Sequence, residues 1–145
     1  MKTALDAMKV DAAKVDENLL AAIKAAALVE ANAGDYVLYL LNVFADRPDV
    51  CASIEQWGRE EEQHGAALAR WAEHADPSFS FERALGRFRE IYRIPVGAEE
   101  SVRGSRVGEM IARCVVESGT SSFYTAIKEA TDEPVLQDIA RRIAA

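Results

Sequence analysis

Four ionisable side chains interrupt the apolar stripes of three helix-like stretches: Glu30, the pair Glu61 and His64 of a Glu-x-x-His motif, and Glu117. Each lies in phase with the hydrophobic residues around it rather than on the opposite, polar face. A carboxylate turned toward a protein interior is expensive unless hydrogen-bond donors or a positive charge meet it. Any fold of this chain must therefore bring these positions to something cationic. In helical bundles the usual solution is metal ions held in the core by residues on facing helices.

The periodicity is helical along the whole chain, with no sustained strand-like alternation. A first helix is predicted from about Asp16 to Phe44, with Leu19, Ile23, Ala26, Glu30, Ala33, Val37, Leu41 and Phe44 facing inward. The residues before it, 1–15, extend it or fray. Asp46-Arg47-Pro48-Asp49 reads as a short turn with a capping aspartate and a proline suited to a first helical turn. A second helix runs from 49 to 75, with Val50, Ile54, Trp57, Glu61, His64, Leu68 and Trp71 inward. Asp76-Pro77 ends it, and the amphipathic stretch around Phe81, Leu85, Phe88 and Ile91 reads as a crossover connection along the side of the bundle. A third helix is expected over 99–131, with Val107, Met110, Cys114, Glu117, Ser121, Tyr124 and Lys128 on one face, and a fourth over 133–145. The expected fold is all-α, a single antiparallel four-helix bundle domain.

Composition narrows the function classes. The 145 residues suit one domain, half of them are apolar, and the net charge of −7 argues against nucleic acid or an anionic membrane as a partner. No apolar run approaches the roughly 20 residues that span a bilayer, and the amino terminus has no signal-peptide pattern. Cys51 and Cys114 form no CxxC pair, so neither a zinc knuckle nor a disulfide framework is indicated and a cytoplasmic setting is expected.

Residues three apart lie one turn apart on the same side of a helix, so Glu61 and His64 can offer a carboxylate and an imidazole to one ion. A carboxylate-rich set with one nitrogen suits iron or manganese better than structural zinc, which favours thiolates. Ordinary structural readings stand beside this one. Glu117 has Arg113 four residues earlier, the spacing of a helix ion pair. Tyr124 reads as a core tyrosine whose hydroxyl finds a partner, Trp57 as packing that keeps water away, Cys114 as a buried thiol and His74 as a surface residue. Ala26, Ala27, Ala33 and Gly34 around Glu30 leave either a small pocket or room for close helix approach.

On Glu30, Glu61-Glu62-Gln63-His64 and Glu117, with a crossover between the second and third helices, the chain resembles the ferritin-like di-iron carboxylate superfamily. The resemblance covers the chain from about Leu19 onward. It implies two iron ions, with manganese as the alternative metal. Glu61 would bridge the pair, Glu30 and His64 would complete one site, and Glu117 would serve the other. It also implies an oxidoreductase that reacts with oxygen or peroxide. Two other functions compete: a helical interaction module that has lost its metals, and an iron-storage protein. The family's second Glu-x-x-His, expected near position 148 from the 31-residue step between Glu30 and Glu61, does not fall within the sequence. The expectation is a chain truncated within its fourth helix, partial metal occupancy, and self-association into a homodimer or higher oligomer to cover apolar side chains that a short fourth helix leaves bare.

Overall fold

The computed structural model describes residues 9–145. The expected fraying of 1–15 falls partly outside the described residues, over 1–8. Within them a 3-10 turn (Ala12–Lys14) precedes six helical segments: α1 (Glu17–Ala31), α2 (Ala33–Val43), α3 (Pro48–Ala75), α4 (Phe81–Ile91), α5 (Arg106–Ala130) and α6 (Pro134–Ile143). No strand occurs among the described residues.

Local chemistry sets most of the boundaries. Asp16, Ser80, Ser105 and Glu133 cap α1, α4, α5 and α6, their side chains accepting from Leu19 N, Arg83 N, Gly108 N and Leu136 N respectively. Each cap satisfies one of the backbone N–H groups that a helix start leaves orphaned. Pro48 and Pro134 stand in first turns, where a missing N–H is harmless.

Cross-helix contacts fix the directions. Lys24 pairs with Asp76 at 2.6 Å, Ala31 lies against Gly65, and the Cys51 thiol donates to Phe44 O. As residue numbers rise along α1–α2, their partners' numbers fall along α3, so the two lie antiparallel. After α4 the chain returns: Ser101 meets Glu109, which takes hydrogen bonds from Tyr36 and Tyr39, while Tyr124 reaches Glu30. Hence α5 also runs antiparallel to α1–α2, alongside α3, and α6 packs back on α5 and α3.

The apolar interior is in two parts. Ile23, Leu68, Trp71, Ile127, Leu136 and their neighbours form one cluster; Tyr39, Leu40, Val43, Phe44 and Ile54 form the other. Glu30, Glu61 and His64 belong to neither and lie along α1 and α3 between the stretches that supply them.

Three expectations need correction. The helix expected over 16–44 is interrupted at Asn32, a buried residue whose backbone N–H is shared between Leu28 O and Val29 O. Sharing with the i−3 carbonyl tightens the turn, so the inward face comes round sooner and Tyr39, Leu40 and Val43 are the buried positions, with Val37 and Leu41 only half-buried. The third helix begins at Arg106, not near 99, because residues before it form a loop that includes Gly104 at φ 83°, a backbone shape suited to glycine. Its inward face is set by Glu109, drawn in by two tyrosines, with Tyr124 and Ile127. Val107 and Cys114, expected inside, are therefore exposed.

Gly65 decides how closely α1 and α3 approach beside the ionisable layer. A Cβ there would lie 2.8 Å from Ala31 N and 3.1 Å from Ala31 Cα, backbone atoms that cannot swing away. Gly65→Ala is expected to lower stability by up to about 2 kcal/mol, an overpacking loss of about 1–3 kcal/mol partly offset by alanine's better helix propensity. Gly119→Ala, with nothing within 4 Å of the new methyl, should instead stabilise α5 by about 0.5–1 kcal/mol. Urea unfolding of the two variants checks both signs.

Candidate metal centre

Glu30 stands in the last turn of α1, and Glu61 and His64 stand one turn apart in the middle of α3, where Gly65 lets the two helices meet closely. His64 Nδ1 lies 3.4 Å from Glu61 Oε1 and 3.8 Å from Glu30 Oε2. The three residues each offer one ligand atom, and these atoms lie within 4.8 Å of one another. From α5 the Tyr124 hydroxyl donates to Glu30 Oε1 at 2.7 Å, which fixes that carboxylate and leaves its other oxygen turned toward His64. Glu30 is only 6% exposed, and its Oε2 and His64 Nδ1 are buried without a hydrogen-bond partner. Buried polar atoms are nearly always satisfied, so two orphans facing one another mark a place where a further charged species fits. The donor set of two carboxylates and one imidazole suits a divalent iron or manganese ion.

The electrostatics respond to this crowding. Burial pushes the Glu61 carboxyl up to about 7, reinforced by the charges of Glu30 and Glu117 and opposed by His64. Contacts with Glu30 and Glu61 raise His64 to about 9 despite its burial. For Glu30 burial pushes upward, but His64 and Tyr124 together outweigh it and hold the group below the ordinary range. Burial and the neighbouring Glu30 charge drive the Tyr124 hydroxyl upward, so it stays a donor. At neutral pH, without metal, the cation that meets the carboxylates is the protonated His64 ring. A metal ion bound here would take its place by releasing that proton.

Glu117 lines the same cleft, about 250 Å³ in volume, together with Glu61, His64, Thr120, Ser121 and Ile143. Its carboxylate is 39% exposed and sits 3.7 Å from Arg113 Nε, one turn back on α5. The expected set is thus brought to one place, but unequally: Glu30, Glu61 and His64 form the compact group, and Glu117 stands at its edge. The cleft that reaches the centre is not built from Ala26, Ala27, Ala33 or Gly34. Ala27 and Ala33 are packed inside, and Gly34 is exposed. His74 is on the surface, and the Trp57 ring packs edge-on to Tyr36 with 6.2 Å between centroids.

Two buried carboxylates escaped the sequence reading. Glu109, fully buried, accepts from Tyr36, from Tyr39 at 2.7 Å and from Ser101 at 2.7 Å, with Arg103 Nε 3.4 Å away. It is held below the ordinary range, because these partners outweigh burial. The spacing 109–113–117 put it on the Glu117 face and was the available signal. Glu133, also fully buried, takes Trp71 Nε1–H and Leu136 N–H, both at 2.8 Å, and Asp11 N–H at 3.2 Å. Its place just before Pro134 was legible as a helix cap, but its burial was not.

Comparison of the chain with protein-family models, curated proteins and solved structures finds no match. Among the described residues no helix is long and apolar enough to cross a membrane.

The shifts of Glu61 and His64 share a sign. A group whose pKa is raised on folding contributes stability that is present below its unfolded value and lost as pH rises through its folded one. Metal-free protein is therefore expected to lose stability from pH 4.5 to about 7 through Glu61 and from pH 6.5 to about 9 through His64. Urea unfolding at intervals of half a pH unit checks this, and His64→Gln should flatten the upper limb.

Proposed function

We propose that this chain is a ferritin-like helical bundle protein whose Glu30–Glu61–His64 centre binds iron or manganese and reacts with oxygen or peroxide. The observation that carries the reading is the pair of buried, unpartnered atoms, Glu30 Oε2 and His64 Nδ1, facing one another beside Glu61. The antiparallel α1–α2 and α3, the return of the chain through α4 and the alignment of α5 beside α3 support the bundle topology. When bound, a redox-active divalent ion would supply one electron to the oxidant, itself passing to the trivalent state. The protein's own residues do the rest. Glu30 and Glu61 provide the negative charge, and His64 provides a nitrogen ligand once its proton has left. Tyr124 holds Glu30 in a single orientation, and the cleft admits a small molecule to the centre from the side of α5.

Titration calorimetry with Fe(II) under nitrogen, and with Mn(II), tests the reading. Binding should tighten as pH rises and protons leave His64 and Glu61. Glu61→Gln should weaken it most, with Glu30→Gln and His64→Ala also severe. Tyr124→Phe, which removes only the donor that orients Glu30, should weaken it about tenfold. The Fe(II) form should consume oxygen in an electrode chamber. A chain that binds neither metal at any pH between 6 and 9 would overturn the proposal.

A second reading, an interaction module that works as a homodimer, is favoured by a separate observation. Val107, Ile111 and Val115 are spaced by four along α5 and are 69%, 60% and 67% exposed. Helix α6 packs on the other half of α5, where Ser121 and Lys128 meet Ala144 and Gln137. A contiguous apolar stripe on a helix is commonly hidden by a partner, and a stable interface buries about 800 Å² per partner. Light scattering should report a dimer that Val115→Glu converts to a monomer without loss of metal binding.

A further inference from the structure

Arg113 is the cationic side chain that the metal reading leaves unexplained. Its guanidinium carbon lies 4.7 Å from the Tyr36 ring centroid and 5.0 Å from that of Trp57. Tyr36 belongs to α2 and Trp57 to α3, so an arginine of α5 is held between three helices. Its side chain is 22% exposed, its Nε is buried without a hydrogen bond, and the nearest anion is the Glu117 carboxylate at 3.7 Å. An ordinary ion pair at this helical spacing is solvated and worth a few tenths of a kcal/mol. This one is fixed by two aromatic faces, the environment in which a guanidinium is favoured over an ammonium.

We infer that Arg113 is a resident cation of this centre, doing the charge-balancing work of a second metal ion, so that the site takes one divalent ion per chain. The inference rests on the metal-binding reading above and adds the ion count and the residue that sets it. Charge bookkeeping supports it. With His64 neutral as a ligand, ionised Glu30, Glu61 and Glu117 carry −3, and one divalent ion plus Arg113 carries +3. A second divalent ion would bring the total, Arg113 included, to +2. The ligand supply agrees. Among the described residues the group that can hold an ion consists of Glu30, Glu61 and His64, and Glu117 is turned to Arg113. Besides Glu117, the α5 side of the cleft offers Thr120 and Ser121, hydroxyls rather than carboxylates, and Ser121 already donates to Ala144 O.

The test counts bound Mn(II) by calorimetry, with the paramagnetic resonance of free Mn(II) as the second readout. Wild type should bind one equivalent. Arg113→Gln should uncover a second, weaker equivalent by freeing Glu117, and Arg113→Gln with Glu117→Gln should return the count to one. Arg113→Lys keeps the charge and should stay at one. Glu117→Gln alone should change the affinity of the first ion by less than about threefold, because Glu117 is not among its ligands. Two equivalents in wild type, a single equivalent in folded Arg113→Gln, or a tenfold loss of affinity in Glu117→Gln would each overturn the inference while leaving the metal centre standing. No bound Mn(II) in wild type would overturn the metal reading and this inference with it. Should Arg113→Gln fail to fold, as read by near-ultraviolet circular dichroism, the Glu117→Gln affinity and the wild-type count decide alone.

Discussion

Burial of the Glu30 carboxylate against α3 is the constraint on which the rest of this structure turns. A lone carboxylate at that depth costs several kcal/mol, and the surrounding residues are arranged around meeting it. Gly65 brings the α3 backbone close enough for His64 to reach across, Tyr124 arrives from α5 to hold one oxygen, and Glu61 shares the imidazole. The layer sits between two apolar clusters. Polar residues there cannot be diluted by solvent, so they must be satisfied by one another or by an ion.

Three fully or nearly fully buried glutamates show three answers to the same problem, and the contrast sets one of them apart. Glu109 is answered by hydroxyls and an arginine, which also tie the loop before α5 to α2. Glu133 is answered by backbone N–H groups and an indole, and so caps α6 while anchoring it on α3. Both are closed. Of the three, Glu30 alone keeps a carboxylate oxygen with no hydrogen-bond partner, beside an imidazole nitrogen equally without one, and the cleft lined by Glu61 and His64 opens next to it. Completeness of hydrogen bonding, rather than burial or charge, is what distinguishes Glu30 from Glu109 and Glu133.

The arrangement of the helices then decides access. Helix α5 keeps an apolar face toward solvent over its first half, while its second half closes the larger core through Tyr124 and Ile127. The same helix thus carries packing at one end and an uncovered surface at the other. Arg113 and Glu117 lie on it between Glu109 and Tyr124, where Glu117 lines the cleft and Arg113 packs behind it on Tyr36 and Trp57.

Helical class, the main helix stops and the compact ligand group were legible in the residues, because each depends on short-range regularities. Spacings of three and four place Glu61 with His64, and Asp-Pro and Glu-Pro pairs end or start helices whatever they pack against. What escaped depends on contacts between distant segments. The tightened turn at Asn32 shifts the phase of everything after it on α2, so an extrapolated stripe missed Tyr39, Leu40 and Val43. The rotation of α5, which exposes Val107 and Cys114 and buries Glu109, follows from hydroxyls some seventy residues earlier in the chain. The pairing of Glu117 with Arg113 was visible as a spacing, but its weight was not, since only tertiary packing puts Tyr36 and Trp57 around that guanidinium. The sequence by itself determined which residues are able to hold an ion; the tertiary structure decided which of them are left unsatisfied, because burial and partnership are properties of packed helices rather than of any one of them.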